Sequence, residues 1–277
     1  MFKKYGYLGI FLIAFAEINF ILVIQPFATW YIPIVWFGYI ILIDSFVYKK
    51  NKSSLITKYP KEFILLCLLS IPFWLIFELY NIYTTSWIYI NYVWYLHLFD
   101  FTTIMPAILE TFSLLNVYKI GERFDVKKHV KNDGGKNGKI VIYVLILIGI
   151  LASLLPVINP LIGLPFIWIG LFLFLDPLNY IIKRPSILQK VSIGKKSIML
   201  RIWLSGIIMG FFWEFWNYQA YPKWYYTLPL FYMPQFKLFE MPFTGYLGYL
   251  PFAAEVFLFF ALFRSFIFKE KNDLIMM

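Results

Sequence analysis

Charged residues are scarce in this chain: they fill 14% of its 277 positions, against 61% hydrophobic and 22% aromatic residues. Soluble domains carry about a quarter charged residues, so this composition points away from the water-soluble class. A single cysteine, Cys67, excludes an intrachain disulfide. Two isolated histidines, His97 in an aromatic stretch and His129 in a polar one, argue against a histidine-rich metal centre, and no metal site is expected. Nucleotide-binding loops, GxSxG, HExxH, CxxC and dinucleotide fingerprints are all missing, so no cofactor is expected either.

In their place stand apolar runs of about twenty residues, the length that crosses roughly 30 Å of hydrocarbon as helix. They fall near 7–24, 30–48, 62–82, 101–118, 139–156, 160–182, 199–218 and 243–263. The expected fold is therefore all-α, a polytopic transmembrane helical bundle of about eight spans, none clearly split into half-helices. All but two of the 25 Lys and Arg residues lie in the termini or in the links 49–61, 119–139 and 183–201; the exceptions are Lys223 and Lys237. That alternation explains the net charge of +10 without a nucleic-acid partner, and the positive-inside rule puts both termini in the cytoplasm of a multi-pass cell-membrane protein. The start imitates a secretory signal, with Lys3-Lys4 before an apolar run and Ala14-Phe15-Ala16. The run continues through Ile24, so the segment reads as a retained span.

The uncommon residues recur in register. Trp36, Gly38, Asp44, Tyr48 and Ser54 match Trp168, Gly170, Asp176, Tyr180 and Ser186 at a constant offset of 132 positions. Further on, Glu78 and Asn81 match Glu214 and Asn217, Trp87 and Tyr89 match Trp224 and Tyr226, Asp100 matches Glu240, and Pro106 with Glu110 matches Pro251 with Glu255. The expected organisation is a first four-span repeat over 1–118, a basic cytoplasmic linker over 119–139 and a second four-span repeat over 140–277. Four is even, so the halves should be parallel and related by a pseudo-two-fold axis along the membrane normal.

The repeated residues carry the candidate chemistry. An acid at bilayer depth costs several kcal/mol unless protected, paired or protonated, which makes Glu78, Glu110, Glu214 and Glu255 the candidate catalytic groups. Three positions apart on a helix, Glu78 and Asn81 share a face, as do Glu214 and Asn217. The following Trp87, Tyr89, Trp224 and Tyr226 fit an interfacial aromatic belt, and with the asparagines form the candidate substrate-binding set. Helix bridging is the plainer role for Glu78 and Glu214. Pro106 and Pro251 should each kink a helix one turn before a glutamate and push away the carbonyls of Thr102 and Leu247. Asp44 and Asp176 read as structural polar residues, paired with Lys49, Lys50, Lys183 and Arg184. Gly206 and Gly210 form a small-residue surface for close helix approach. Phe239-Glu240-Met241-Pro242 reads as re-entrant or interfacial.

The runs Leu175-Asp176-Pro177-Leu178-Asn179, Trp213-Glu214-Phe215-Trp216-Asn217, and Phe239-Glu240-Met241-Pro242 through Gly245-Tyr246-Leu247-Gly248 to Glu255 resemble an uncharacterised prokaryotic family of multi-pass membrane proteins. More distantly, the order Glu78, Trp87, Tyr89, Pro106, Glu110, repeated as Glu214, Trp224, Tyr226, Pro251, Glu255, resembles the membrane lycopene cyclase domains. Their adjacent acids are replaced here by Leu109-Glu110 and Ala254-Glu255. The resemblance implies a membrane lipid or isoprenoid as partner, acted on by cyclase- or isomerase-like proton transfer through paired glutamates. A proton- or cation-coupled transporter and a non-catalytic lipid-binding or scaffold subunit are the alternatives. The lipid reading expects the four glutamates to meet in one apolar cavity open to lipid; transport expects a water-filled path between the halves.

Overall fold

In the computed structural model, residues 2–91, 93–126 and 135–268 are described; positions 127–134 of the expected linker, with His129, lie outside them. The apolar runs form α1 (Lys4–Ile21), α2 (Tyr31–Asn51), α4 (Pro60–Thr84), α5 (Trp94–Val117), α6 (Gly135–Ile158) and α10 (Lys196–Gln219). A further span joins α11 (Phe243–Tyr246) to α12 (Tyr249–Ile267). The sixth expected span departs from expectation, because α7 (Pro160–Gly163) and a 3-10 turn (Leu164–Ile167) meet α8 (Gly170–Ile181) at a 43° bend. Pro160 and Pro165 withdraw backbone donors, and Gly170 opens the next helix, so a continuous ladder cannot form through this stretch. Counting the bent pair as one span gives eight, and the chain is a multi-pass, all-α membrane bundle.

Helix α1 packs on α2 and α6 on α8, while α2 and α4 pack on α5, and α8 and α10 pack on α12. Contacts of α10 with α5 and of α12 with α4 and α5 join the two halves. Of the long helices, the last span is the most buried and α6 the least. Exposed Tyr143, Leu147 and Leu151 on α6 are the surface such a helix presents to lipid. The joint between the halves is aromatic: Phe77 stacks on Trp168 at 5.1 Å, Trp36 meets Trp216 edge-on at 4.6 Å, and Phe73 packs on Phe252. Rings bury large apolar areas and add about 0.5–1.5 kcal/mol per well-placed pair.

At the basic end the chain turns through two short helices, α3 (Leu55–Lys58) and α9 (Ile187–Ser192). Ser54 and Ser186 cap them, and each serine donates to a buried aspartate, Asp44 or Asp176. The same carboxylates accept the first-turn N–H groups of Ile56, or of Ile187 and Leu188. Tyr5 also donates to Asp44. The expected pairing with nearby lysines is thus replaced by helix capping, because free N–H groups at a buried helix start need an acceptor.

The two prolines also act differently. Pro106 lies inside α5, where Ser70 of α4 inserts into the ladder: its hydroxyl accepts from Met105 N–H and donates to the carbonyl of Phe101. A side chain entering the ladder beside a proline is a recognised cause of helix bending. Pro251 sits in the first turn of α12, where no donor is lost, and the carbonyl of Leu247 accepts from Leu250 N–H. The expected kink there becomes the break between α11 and α12.

Arg264 in the last turn of α12 reaches Glu62 in the first turn of α4 at 3.0 Å, and both are buried. Removing one member of a buried pair strands the other, at about 3–5 kcal/mol. Arg264→Met should therefore lower the thermal unfolding midpoint in detergent, and adding Glu62→Gln should recover much of the loss. Equal midpoints for Arg264→Met and the unmodified protein would reject this role.

Candidate functional site

After α4 and α10 the chain runs into two short strands, β1 (Trp87–Ile90) and β2 (Lys223–Tyr226), which pair antiparallel across the halves. Trp87 faces Tyr226 and Tyr89 faces Trp224, with the local two-fold between Ile88 and Tyr225. Each strand is tied to its own helix by an asparagine. Asn81 accepts from Trp87 N–H and donates to its carbonyl; Asn217 does the same with Trp224, at 2.9 Å in both directions. Alternation along β1 then turns Ile88 and Ile90 outward and Trp87 and Tyr89 inward. These aromatics are not a belt at the surface; they wall an interior.

That interior is a cavity between the halves, at the end of the bundle away from the basic links. Six of the chain's ten tryptophans line it: Trp36, Trp74, Trp87, Trp168, Trp213 and Trp224. Tyr89, Tyr226 and Tyr249 add phenol rings, and Phe101 and Phe252 close the apolar wall. Its volume is about 60 Å³. An apolar cleft of about 310 Å³ adjoins it and shares Trp87, Trp168, Tyr226 and Met241. The cleft runs past the broken sixth span, where Ile169 and Leu247 are exposed.

Glu78 and Glu214 stand behind this wall and gather its hydrogen-bond donors. Glu78 Oε1 accepts from Trp74 Nε1 at 2.7 Å, Trp87 Nε1 at 3.3 Å and Tyr89 Oη at 2.5 Å. Glu214 Oε1 accepts from Tyr226 Oη at 2.6 Å and Tyr249 Oη at 2.7 Å, and Tyr226 Oη accepts from Trp224 Nε1. Tyr249 can lie this close because Gly206 and Gly210 of α10 face it; a Cβ at either would collide with its backbone or ring. Burial, then the neighbouring carboxylate, pushes the phenols of Tyr89 and Tyr226 well above their ordinary value, so both remain donors at physiological pH.

Glu110 and Glu255 do not join this cavity. Glu255, fully buried, accepts from Phe172 N–H at 3.2 Å and so serves the free start of α8 created by the break in the sixth span. Glu110 is equally buried beside Asp44, and neither of its oxygens accepts a hydrogen bond among the described residues. In the first half α2 is continuous, so no free helix start is available for Glu110 to cap. The expected convergence of four glutamates therefore gives way to one pair behind the aromatic wall and two residues in separate surroundings.

Two further cavity residues were not among the candidate site residues, although the repeat matched one of them, Asp100, to Glu240. His97 and Asp100 lie one turn apart in α5, with Nδ1 3.5 Å from Oδ2, and both line the cavity with Thr103. Their signal was available: a histidine and an aspartate three positions apart share a helix face. Glu240, the register partner of Asp100, instead sits in the hairpin of β3 (Lys237–Leu238) and β4 (Met241–Pro242), bound to Lys223 at 2.7 Å and Lys237 at 3.1 Å. Burial raises the Glu240 carboxyl, but the two lysines outweigh it and hold the group below its ordinary value.

Asn81→Ala and Asn217→Ala each free a donor and an acceptor on a strand, and should cost about 1–3 kcal/mol of stability. The loss should be larger for Asn217, which is fully buried, and tryptophan emission should shift to the red in both. Unchanged emission and midpoint in both variants would show that the strand pair does not depend on these clamps. Comparison of the chain with protein-family models, with curated proteins and with solved structures finds no match.

Proposed function

We propose that this protein binds, and acts on, a membrane lipid or isoprenoid whose chain lies in the apolar cleft and whose end group enters the aromatic cavity. The observation that carries the reading is the convergence of six tryptophans from both halves of the chain on one cavity that shares wall residues with an apolar cleft. Largely apolar concavities with a few placed polar groups are the ordinary form of a small-molecule site. The cleft passes exposed apolar residues of a membrane span, which favours entry from the bilayer over entry from water. The matched clamps, the matched aspartate caps and the central strand pair support an ancestral duplication with a pseudo-two-fold axis through the cavity. With the basic links cytoplasmic, the cavity belongs to the outer half of the membrane.

At about 60 Å³ the cavity holds an end group and not a whole carotenoid, so a chemical role would concern the terminus of a chain. Besides its three tyrosines, the cavity is lined by the imidazole of His97 and the carboxyl of Asp100, while Glu78 and Glu214 stand one layer back. A transport reading draws on one feature, the half-helix start of α8 at membrane depth. Glu255 already meets that start.

The test is lipid mass spectrometry on protein extracted with its surrounding bilayer. A defined lipid should co-purify with the unmodified chain and fall several-fold in Ile169→Trp, which places an indole in the cleft wall, while the thermal midpoint stays within a few degrees. Identical lipid profiles for the two proteins and for an unrelated membrane protein would reject lipid binding.

A further inference from the structure

Within that cavity, most of the indole and phenol donors are already bonded. The indole N–H groups of Trp74 and Trp87 are spent on Glu78 and that of Trp224 on Tyr226. Of the three phenols, Tyr89 donates to Glu78, and Tyr226 and Tyr249 donate to Glu214. The indoles of Trp36, Trp168 and Trp213 make no such bond among the described residues, so six of the nine indole and phenol donors around the cavity are occupied and three are left for an acceptor. The wall otherwise offers ring surface, and each ring that donates to a carboxylate is polarised toward greater electron density.

Asp100 is the one acid among the residues that line the cavity. Asp100 Oδ1 is buried and accepts no hydrogen bond among the described residues, while Oδ2 lies 3.5 Å from His97. No lysine or arginine is among the residues that line the cavity. Electron-rich rings, a carboxyl group and no fixed cation are the conditions under which a desolvated cation is attracted to aromatic faces. A primary ammonium carries three N–H donors and would need three acceptors. A methylated ammonium needs few or none, which suits a largely aromatic wall with a single carboxyl group.

We propose that the aromatic cavity is a recognition site for a methylated ammonium group, held by the surrounding indoles and by Asp100. This inference rests on the proposed binding function and specifies its end group. The group belongs either to a lipid head, with its chain in the adjoining cleft, or to a free small molecule.

The experiment uses the full chain in phosphatidylglycerol nanodiscs, with tryptophan fluorescence as readout because six indoles line the site. Choline should bind saturably, at least tenfold more tightly than its neutral isostere 3,3-dimethyl-1-butanol and more tightly than ethanolamine. Asp100→Asn should weaken choline about tenfold and leave the isostere unchanged, with the thermal midpoint as a check on folding. The comparison of choline, isostere and ethanolamine on the unmodified protein stands even if that variant fails to fold. Phosphatidylcholine added to the discs should compete with choline if the group is a lipid head; binding without competition assigns it to a free compound. Equal affinities for choline and its isostere, or no choline binding, would overturn the proposal. A neutral lipid co-purifying in that case would leave the broader lipid-binding function intact.

Discussion

Two asparagines decide where the aromatic side chains point. Asn81 and Asn217 each hold one strand residue by both its N–H and its carbonyl, so neither strand can slide or rotate relative to the helix before it. A slip of one residue would exchange the two faces of a strand and turn Trp87 and Tyr89 out of the bundle. The strands also complete each other across the halves, since a lone four-residue strand has no partner for its backbone and an isolated two-stranded ladder has little stability of its own. The cavity exists because these restraints act together.

The glutamates behind the wall solve a second problem. Indole and phenol groups bring large apolar surfaces, but each brings a donor that is costly to bury unsatisfied. Glu78 gathers three of those donors and Glu214 two, which removes them from the cavity surface. Gly206 and Gly210 serve the same end by letting Tyr249 come within reach of Glu214. The costly intramembrane acids are thereby tied to the shape and polarity of the cavity, whether or not they exchange protons with a ligand.

Much of this arrangement was legible in the sequence. Run lengths placed the long helices, and the register of rare residues paired Asn81 with Asn217 and Glu78 with Glu214, whose bonds correspond atom for atom in the asparagine clamps and tyrosine contacts. Other features depended on partners that periodicity does not reveal. The bend before α8 arises from closely spaced prolines and glycines within an apolar run, and its consequence, the diversion of Glu255 to Phe172 N–H, is a tertiary contact. Asp44 and Asp176 looked like partners for nearby lysines because sequence distance was short, but the serine and N–H groups of the following helix were closer in space. His97 was hidden by position, and Asp100, though matched to Glu240 by the repeat, lay just outside the apolar run: the helix begins earlier, at Trp94, than that run suggests.

The halves thus share their clamps and caps and differ where the second half breaks its helix and opens a cleft beside the cavity. Cryo-electron microscopy of the protein in discs cut directly from its own membrane tests this account most directly. Elongated density in the cleft, ending in a compact feature among Trp87, Trp224 and Asp100, is the predicted result. A continuous water-filled path from the cavity to the basic end of the bundle, with an empty cleft, would contradict it.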